Sequence, residues 1–196
     1  MKTQIIFAGH GGQGVLELAN NVCYFELLKG RHVAYTPSYG PESRGGKVKC
    51  YVVISDQEIG SPIVESPDYL VVMNVPSMDY VSLLRKGGTL FMNSSLISSG
   101  PARNDIQTIK VPATEIAAGL KDFSTSEIQD TQIAANSVMF GAYLGVTESN
   151  YDSELLNSVF GHFLTDRKAV YIPLNISAVK KGYEFVHQLI VLRIDQ

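Results

Sequence analysis

An open, mostly parallel α/β sheet is the fold class the sequence predicts, and three observations predict it. Short apolar runs that read as buried strands alternate with stretches of helical periodicity. A glycine-rich turn, Gly9-His10-Gly11-Gly12-Gln13-Gly14, joins the first run to the first helix. The last third carries helical patterns in place of strands. At 196 residues the chain suits a single domain, 1–196, with one sizeable core.

Thr3 to Ala8, with Ile5, Ile6 and Phe7 in a row, predicts a short buried strand. After the glycine turn, Val15, Leu18, Ala19, Val22 and Phe25 recur at helical spacing within 13–29. Gly30 stands where a left-handed cap ends a helix. His32 to Tyr35 reads as the second strand, so the first 36 residues form a β-α-β unit with parallel strands. From Thr36 to Gly46, two prolines and three glycines argue against a regular element. Val48 to Ser55, Tyr69 to Met73, Thr89 to Met92 and Ile106 to Val111 predict further strands, with a short helix around Ser77 to Leu84. Ile133 to Leu144 is a helix rich in small residues, suited to close packing on a sheet or another helix. Leu155, Leu156, Val159, Phe160 and Phe163 mark an amphipathic helix. Ile176, Val179, Tyr183, Val186 and Ile190 mark another, stepping by three and four. The result is a Rossmann-like sheet with flanking helices and a helical C-terminal third.

Composition narrows the function. The chain is 45% hydrophobic and 18% charged, which excludes disorder. Its net charge is −3 and it holds no basic run able to track a phosphate backbone, so nucleic acid is not an expected partner. Cys23 and Cys50 cannot supply a thiolate set for zinc or an iron–sulfur cluster, and both fall in apolar patterns that read as buried. The four histidines have no metal-ligand spacing, so no metal site is expected. No apolar run approaches the ~20 residues of a membrane span, and the first residues are too short in apolar character for a signal peptide. A soluble, cytoplasmic protein is expected.

Two loops carry the candidate chemistry. The first fits G-x-G-x-x-G between a strand and a helix, where glycines let a phosphate approach the backbone and the helix N-terminus attracts its charge. A dinucleotide site also needs an acid at the end of the second strand to hold the ribose. That position reads Tyr35-Thr36-Pro37, which argues against NAD(P). A turn used only for tight helix–sheet packing is the plain alternative. The second loop, Thr36 to Gly46, leaves the carboxyl end of the second strand and so falls on the same sheet edge, where ligands of open α/β folds gather. Arg44 suits a phosphate or a partner's carboxylate, and Tyr39 offers a flat surface. Glu42 and Arg44 could equally pair locally and fix the turn. Neither loop contains a nucleophile elbow, an H-E-x-x-H motif or a P-loop lysine, so no catalytic residues are expected and the chain reads as one subunit of something larger.

The residues carry a family likeness. Gly11-Gly12-Gln13-Gly14-Val15, then Ser38 through Gly46, then Cys50-Tyr51-Val52-Val53-Ile54-Ser55-Asp56 resemble the gamma subunit of 2-oxoacid:ferredoxin (acceptor) oxidoreductases. Gly60-Ser61-Pro62-Ile63-Val64, Pro67-Asp68, Gly87-Gly88-Thr89-Leu90, Pro112 to Ala117, Asn136 and Gly141 extend the likeness over nearly the whole chain. The resemblance implies a complex that oxidatively decarboxylates a 2-oxoacid, passes the acyl group to coenzyme A and sends two electrons to ferredoxin or another acceptor. Thiamine diphosphate, magnesium and iron–sulfur clusters are implied on the partner alpha, beta and delta subunits. Coenzyme A is the ligand implied for Gly11, Gly12, Gln13, Gly14, Tyr39, Gly40, Pro41, Glu42, Ser43, Arg44 and Gly45. The second loop looks most like the 2-oxoglutarate branch, whose product is succinyl-CoA. A pyruvate or 2-oxoisovalerate enzyme and a free-standing nucleotide-binding dehydrogenase are the alternatives.

Overall fold

The computed structural model describes residues 1–40, 46–150 and 152–194. The chain divides into two compact units, Met1–Lys110 and Val111–Gln196. The first contains β1 (Lys2–His10), α1 (Val15–Leu28), β2 (His32–Tyr39), β3 (Lys47–Ser55), β4 (Tyr69–Val72), a 3₁₀ helix over Val75–Leu83, and β5 (Thr89–Asn93). A final strand, β6 (Gln107–Val111), ends at the unit boundary. The six strands form one sheet in the order β2-β3-β1-β4-β5-β6.

The α/β class is as predicted, and the strand directions refine it. β1 pairs parallel with β4, and β4 with β5. β3 runs antiparallel to both β1 and β2. β1, β2, β4 and β5 therefore point the same way, and β3 is inverted between β1 and β2. Two local expectations are corrected. First, β2 does not lie beside β1, because β3 returns from it as a long hairpin and takes that place. Second, Thr36-Pro37-Ser38-Tyr39 is strand, not loop. β2 is the sheet edge, where half of the N–H groups point away from any partner, so Pro37 costs the ladder nothing.

Side-chain alternation divides the sheet into two apolar faces. Ile6, Ala8, Leu70, Val72, Leu90 and Met92 pack with Val81, Leu84 and Ile97 on one. Ile5, Phe7, Cys50 and Val52 point to the other by register. There α1 packs on β1, β2 and β3. Ile5 through Ala8 are completely buried, worth about 1.5–3 kcal/mol for each large side chain. At the end of α1, Gly30 takes φ +80° as expected of a left-handed cap, while Gly30 N–H donates to Leu27 O and Arg31 N–H to Glu26 O.

The second unit holds α2 (Ala113–Ala118), α3 (Ala135–Thr147), α4 (Ser153–Phe163) and α5 (Ile172–Ile194). The small-residue stretch becomes α3, which is buried on all sides over 135–145. It lies directly on α5: a Cβ on Gly141 would meet the Val179 carbonyl oxygen, and one on Gly182 would meet that of Val138. Ser137 Oγ donates to Asn175 Oδ1 at 2.6 Å across the same contact. Asp152 caps α4 by accepting from Glu154 N–H at 2.8 Å. Six-residue α2 is too short to show helical periodicity in the sequence. Among the described residues, no helix is long and apolar enough to cross a membrane.

Candidate functional site

The carboxyl ends of β1, β2, β4 and β5 share one edge of the sheet, and both candidate loops start there. Gly11, Gly12, Gln13 and Gly14 follow β1. Gly12 is exposed at φ +94°. Gly14 at φ +66° is the N-cap of α1 and has no side-chain cap bond; its carbonyl accepts from Leu18 N–H at 2.8 Å. Tyr39 ends β2 with 68% of its surface exposed, and Gly40 N–H donates to Lys47 O at 2.8 Å. Pro41, Glu42, Ser43, Arg44 and Gly45 lie outside the described residues.

The structure brings the two loops together at their flanks. His10 pairs with Lys47 in the β1–β3 ladder. Just beyond that pair, Gly11 N–H donates to Gly46 O at 3.1 Å. One backbone donor of the glycine turn is thus committed to the second loop, and Gln13 N–H is committed to His10 O at 3.2 Å.

The Gln13 side chain turns inward. Its Oε1 accepts from His10 N–H at 2.8 Å and from Asn74 Nδ2 at 2.7 Å, and its Nε2 donates to Met73 O at 3.4 Å. Met73 and Asn74 immediately follow β4. β1 leads to one side of the sheet and β4 to the other, so the gap between their ends is the topological switch point where open α/β folds seat ligands. Here Gln13 and Asn74 bridge that gap. Asn74 Oδ1 in turn accepts from Ser77 N–H at 3.1 Å and Ser77 Oγ at 2.7 Å, capping the 3₁₀ helix. Periodicity gave no sign of this network, although Asn74 two residues before Pro76 is a helix-start signal that could have found it.

The observed sheet also changes the case against a dinucleotide. The second strand ends at Tyr39 and not at Tyr35, so the missing acid at Tyr35-Thr36-Pro37 is not the relevant test. Geometry supplies a better one. With β3 interposed, the end of β2 lies two strand spacings from β1, about 9–10 Å instead of about 5, which displaces any ribose acid from the glycine turn.

Beyond the turn, a cleft of about 490 Å³ opens between the 3₁₀ helix and the segment after β5, with Val75, Met78, Val81, Ile97 and Pro101 on its walls. Lys47 Nζ meets Asp79 Oδ2 of the same helix at 3.0 Å. Lys49 sits over the rings of Tyr51 and Tyr80 at 5.2 and 4.9 Å, and the Tyr51 hydroxyl beside it raises its pKa. Arg103 is committed to structure: Nη1 donates to Val81 O and Leu84 O, while Nε and Nη2 hold Asp105. That guanidinium keeps the Asp105 carboxyl below the usual carboxylate range. Both cysteines are buried and unpaired. Burial pushes the Cys23 thiol upward and Cys50 up to about 12, so neither supplies a thiolate near neutrality. Among the described residues, no group of His, Cys, Asp or Glu side chains is placed to hold a metal ion.

Residues 4–185 match the family described as pyruvate ferredoxin/flavodoxin oxidoreductase. The chain belongs to that family. Among its relatives, the 2-oxoglutarate synthase subunit KorC of Methanocaldococcus jannaschii is 34% identical, with 96% of each chain covered. The ketoisovalerate oxidoreductase subunit VorA of Methanothermobacter marburgensis is 32% identical over 95% of this chain, which spans only 37% of that relative's length. Of the solved structures, the keto/oxoacid ferredoxin oxidoreductase gamma subunit from Geobacter sulfurreducens superposes with a TM-score of 0.72 at 26% identity, covering 94% of this chain and 98% of its own. The family match runs through both compact units, and the gamma-subunit resemblance read from the two loops agrees with it.

Proposed function

We propose that this chain is the gamma subunit of a 2-oxoglutarate:ferredoxin (acceptor) oxidoreductase. The complex converts 2-oxoglutarate and coenzyme A to succinyl-CoA and carbon dioxide, with two electrons passing to ferredoxin or a similar acceptor. The end-to-end correspondence with KorC, 96% of both chains, carries this reading. In it, residues 1–196 act as one cytoplasmic module beside alpha, beta and delta subunits, which hold the thiamine diphosphate, magnesium and iron–sulfur clusters. In a 2-oxoglutarate:ferredoxin oxidoreductase from Magnetococcus marinus, solved with 2-oxoglutarate, coenzyme A and succinyl-CoA bound, 31% of the chain matches 96% of this one with a TM-score of 0.75; at 17% identity the likeness concerns the fold alone.

The residues of the site suit coenzyme A. Tyr39 presents an exposed ring, and Gly12 leaves exposed backbone with open space around it. The Lys47 ammonium, which meets Asp79 in a half-exposed pair of the kind worth about 0–1 kcal/mol, adds positive charge beside the turn. Pro41 to Gly45, Arg44 above all, complete the contact in this proposal.

The test is co-expression with the partner subunits. Acceptor reduction should require coenzyme A and favour 2-oxoglutarate over pyruvate and 2-oxoisovalerate by at least about tenfold in kcat/KM, roughly 1.4 kcal/mol in transition-state binding. Arg44→Ala should raise the KM for coenzyme A or weaken assembly. Preference for 2-oxoisovalerate would favour the second reading, a branched-chain 2-oxoacid enzyme, for which the VorA similarity over 95% of this chain speaks. NAD(P) binding by the isolated chain would overturn both.

A further inference from the structure

We infer that Gln13 is a positioning residue: its inward side chain closes a ring of contacts that fixes the flanks of the second loop against the 3₁₀ helix. The ring can be followed residue by residue. Gln13 Oε1 accepts from Asn74 Nδ2 at 2.7 Å. Asn74 caps the 3₁₀ helix through Ser77. One turn further on, Asp79 pairs with Lys47 at 3.0 Å. Lys47 adjoins Gly46, whose carbonyl accepts from Gly11 N–H at 3.1 Å. Gly11 leads back to Gln13, which also fastens the turn by accepting from His10 N–H at 2.8 Å.

The links differ in strength, and that decides which residue controls the ring. Lys47–Asp79 is exposed, with 49% and 72% of the side-chain surfaces open, and contributes little alone. The Gln13 amide is partly buried and uses both its oxygen and its nitrogen. Removing it leaves the His10 N–H, the Asn74 amide and the Met73 carbonyl short of a partner at once, and such losses exceed the worth of the bonds themselves. Gln13 therefore acts behind the ligand surface, through the backbone it holds, and not by touching the ligand.

The inference rests on the proposed coenzyme A contact, and the experiment keeps the two apart. In the assembled complex, Gln13→Ala should raise both the calorimetric Kd and the KM for coenzyme A about tenfold, with a much smaller fall in kcat. Amide exchange should quicken at Gly11 and around Ser77 together. Lys47→Ala should weaken binding in the wild-type background but add less in the Gln13→Ala background, because the ring is already open. Gln13→Glu keeps both acceptor bonds and the side-chain volume, and should give a smaller rise. A Gln13→Ala complex with a lower Tm but unchanged Kd and KM would overturn the inference, leaving Gln13 a packing residue. Should that variant not assemble, an unchanged Kd in Gln13→Glu and Asn74→Ala would overturn it equally. If the wild-type complex binds no coenzyme A, the proposed function fails instead, and the ring stands or falls on whether exchange at Gly11 and Ser77 rises together in Gln13→Ala.

Discussion

In the turn after β1, Gly12 has φ +94° and nothing within 4 Å of where a Cβ would stand. At the α3–α5 crossing the situation is reversed. Gly141 and Gly182 have ordinary helical backbones, and a Cβ on either would run into a carbonyl oxygen of the opposing helix. The same residue type thus serves as conformational permission in the first unit and as the absence of volume in the second. The first use leaves backbone exposed and available. The second removes all free space. Only the first produces a surface on which a ligand can act, which is why the candidate site belongs to the turn and not to the more glycine-dependent helix pair.

The largest expected effect lies at the helix crossing. Gly141→Ala should overpack a contact made of backbone, which cannot swing aside as a side chain can. A loss of about 3 kcal/mol, less about 1 kcal/mol of gained helix propensity, leaves a net destabilisation of about 2 kcal/mol or more. Gly182→Ala should match it, because the two glycines face each other's helices reciprocally. Urea denaturation of the full chain would show a lower midpoint at unchanged slope. Unchanged stability in either variant would break the comparison, since the helices would then have room between them.

How much of this was legible beforehand follows from the range of the interactions involved. Strands β1, β3, β4 and β5 and helices α1, α4 and α5 carry periodic apolar patterns, which are local and therefore readable. The small-residue run announced close packing, but a one-dimensional pattern could not say that the neighbour is α5. Pro37 concealed the second half of β2, because tolerance of proline depends on being at the sheet edge, a property of the assembled sheet. At the site, the two loops were readable as sharing an edge because strand direction fixes where a loop emerges. The commitment of Gln13 was not. Its partners Met73 and Asn74 are 60 and 61 residues away, and no spacing rule connects a turn amide to the far end of another strand.

Gly9 tests whether the two uses of glycine can meet in one residue. It lies within β1, beside the glycine turn, yet a Cβ there would stand 2.6 Å from Val15 Cγ2, 2.9 Å from Gln13 Oε1 and 3.1 Å from Met73 Cβ. It resembles the helix-crossing glycines in lacking space, but the two nearest obstructing atoms, Val15 Cγ2 and Gln13 Oε1, are side-chain ends and not backbone. Gly9→Ala should therefore cost an intermediate amount, about 1–2 kcal/mol. Part of that cost should come from displacing Gln13 Oε1 from the His10 N–H. Faster amide exchange at His10 in this variant would identify that route. A cost as large as that of Gly141→Ala would mean that the Gln13 fastening cannot shift.

The smallest effect belongs to Gly12, where strain acts without crowding. Gly12→Ala should lose about 1 kcal/mol through its left-handed backbone alone. Gly12→Asn should lose less, since asparagine tolerates positive φ and the space is open to its longer side chain. Sensitivity to size would place Gly12 with Gly141, whereas sensitivity to backbone preference keeps it apart. Denaturant midpoints that rank Asn above Ala at position 12 would sharpen the contrast. The opposite ranking would show that the turn is crowded in the folded protein and that its backbone is not open to a ligand.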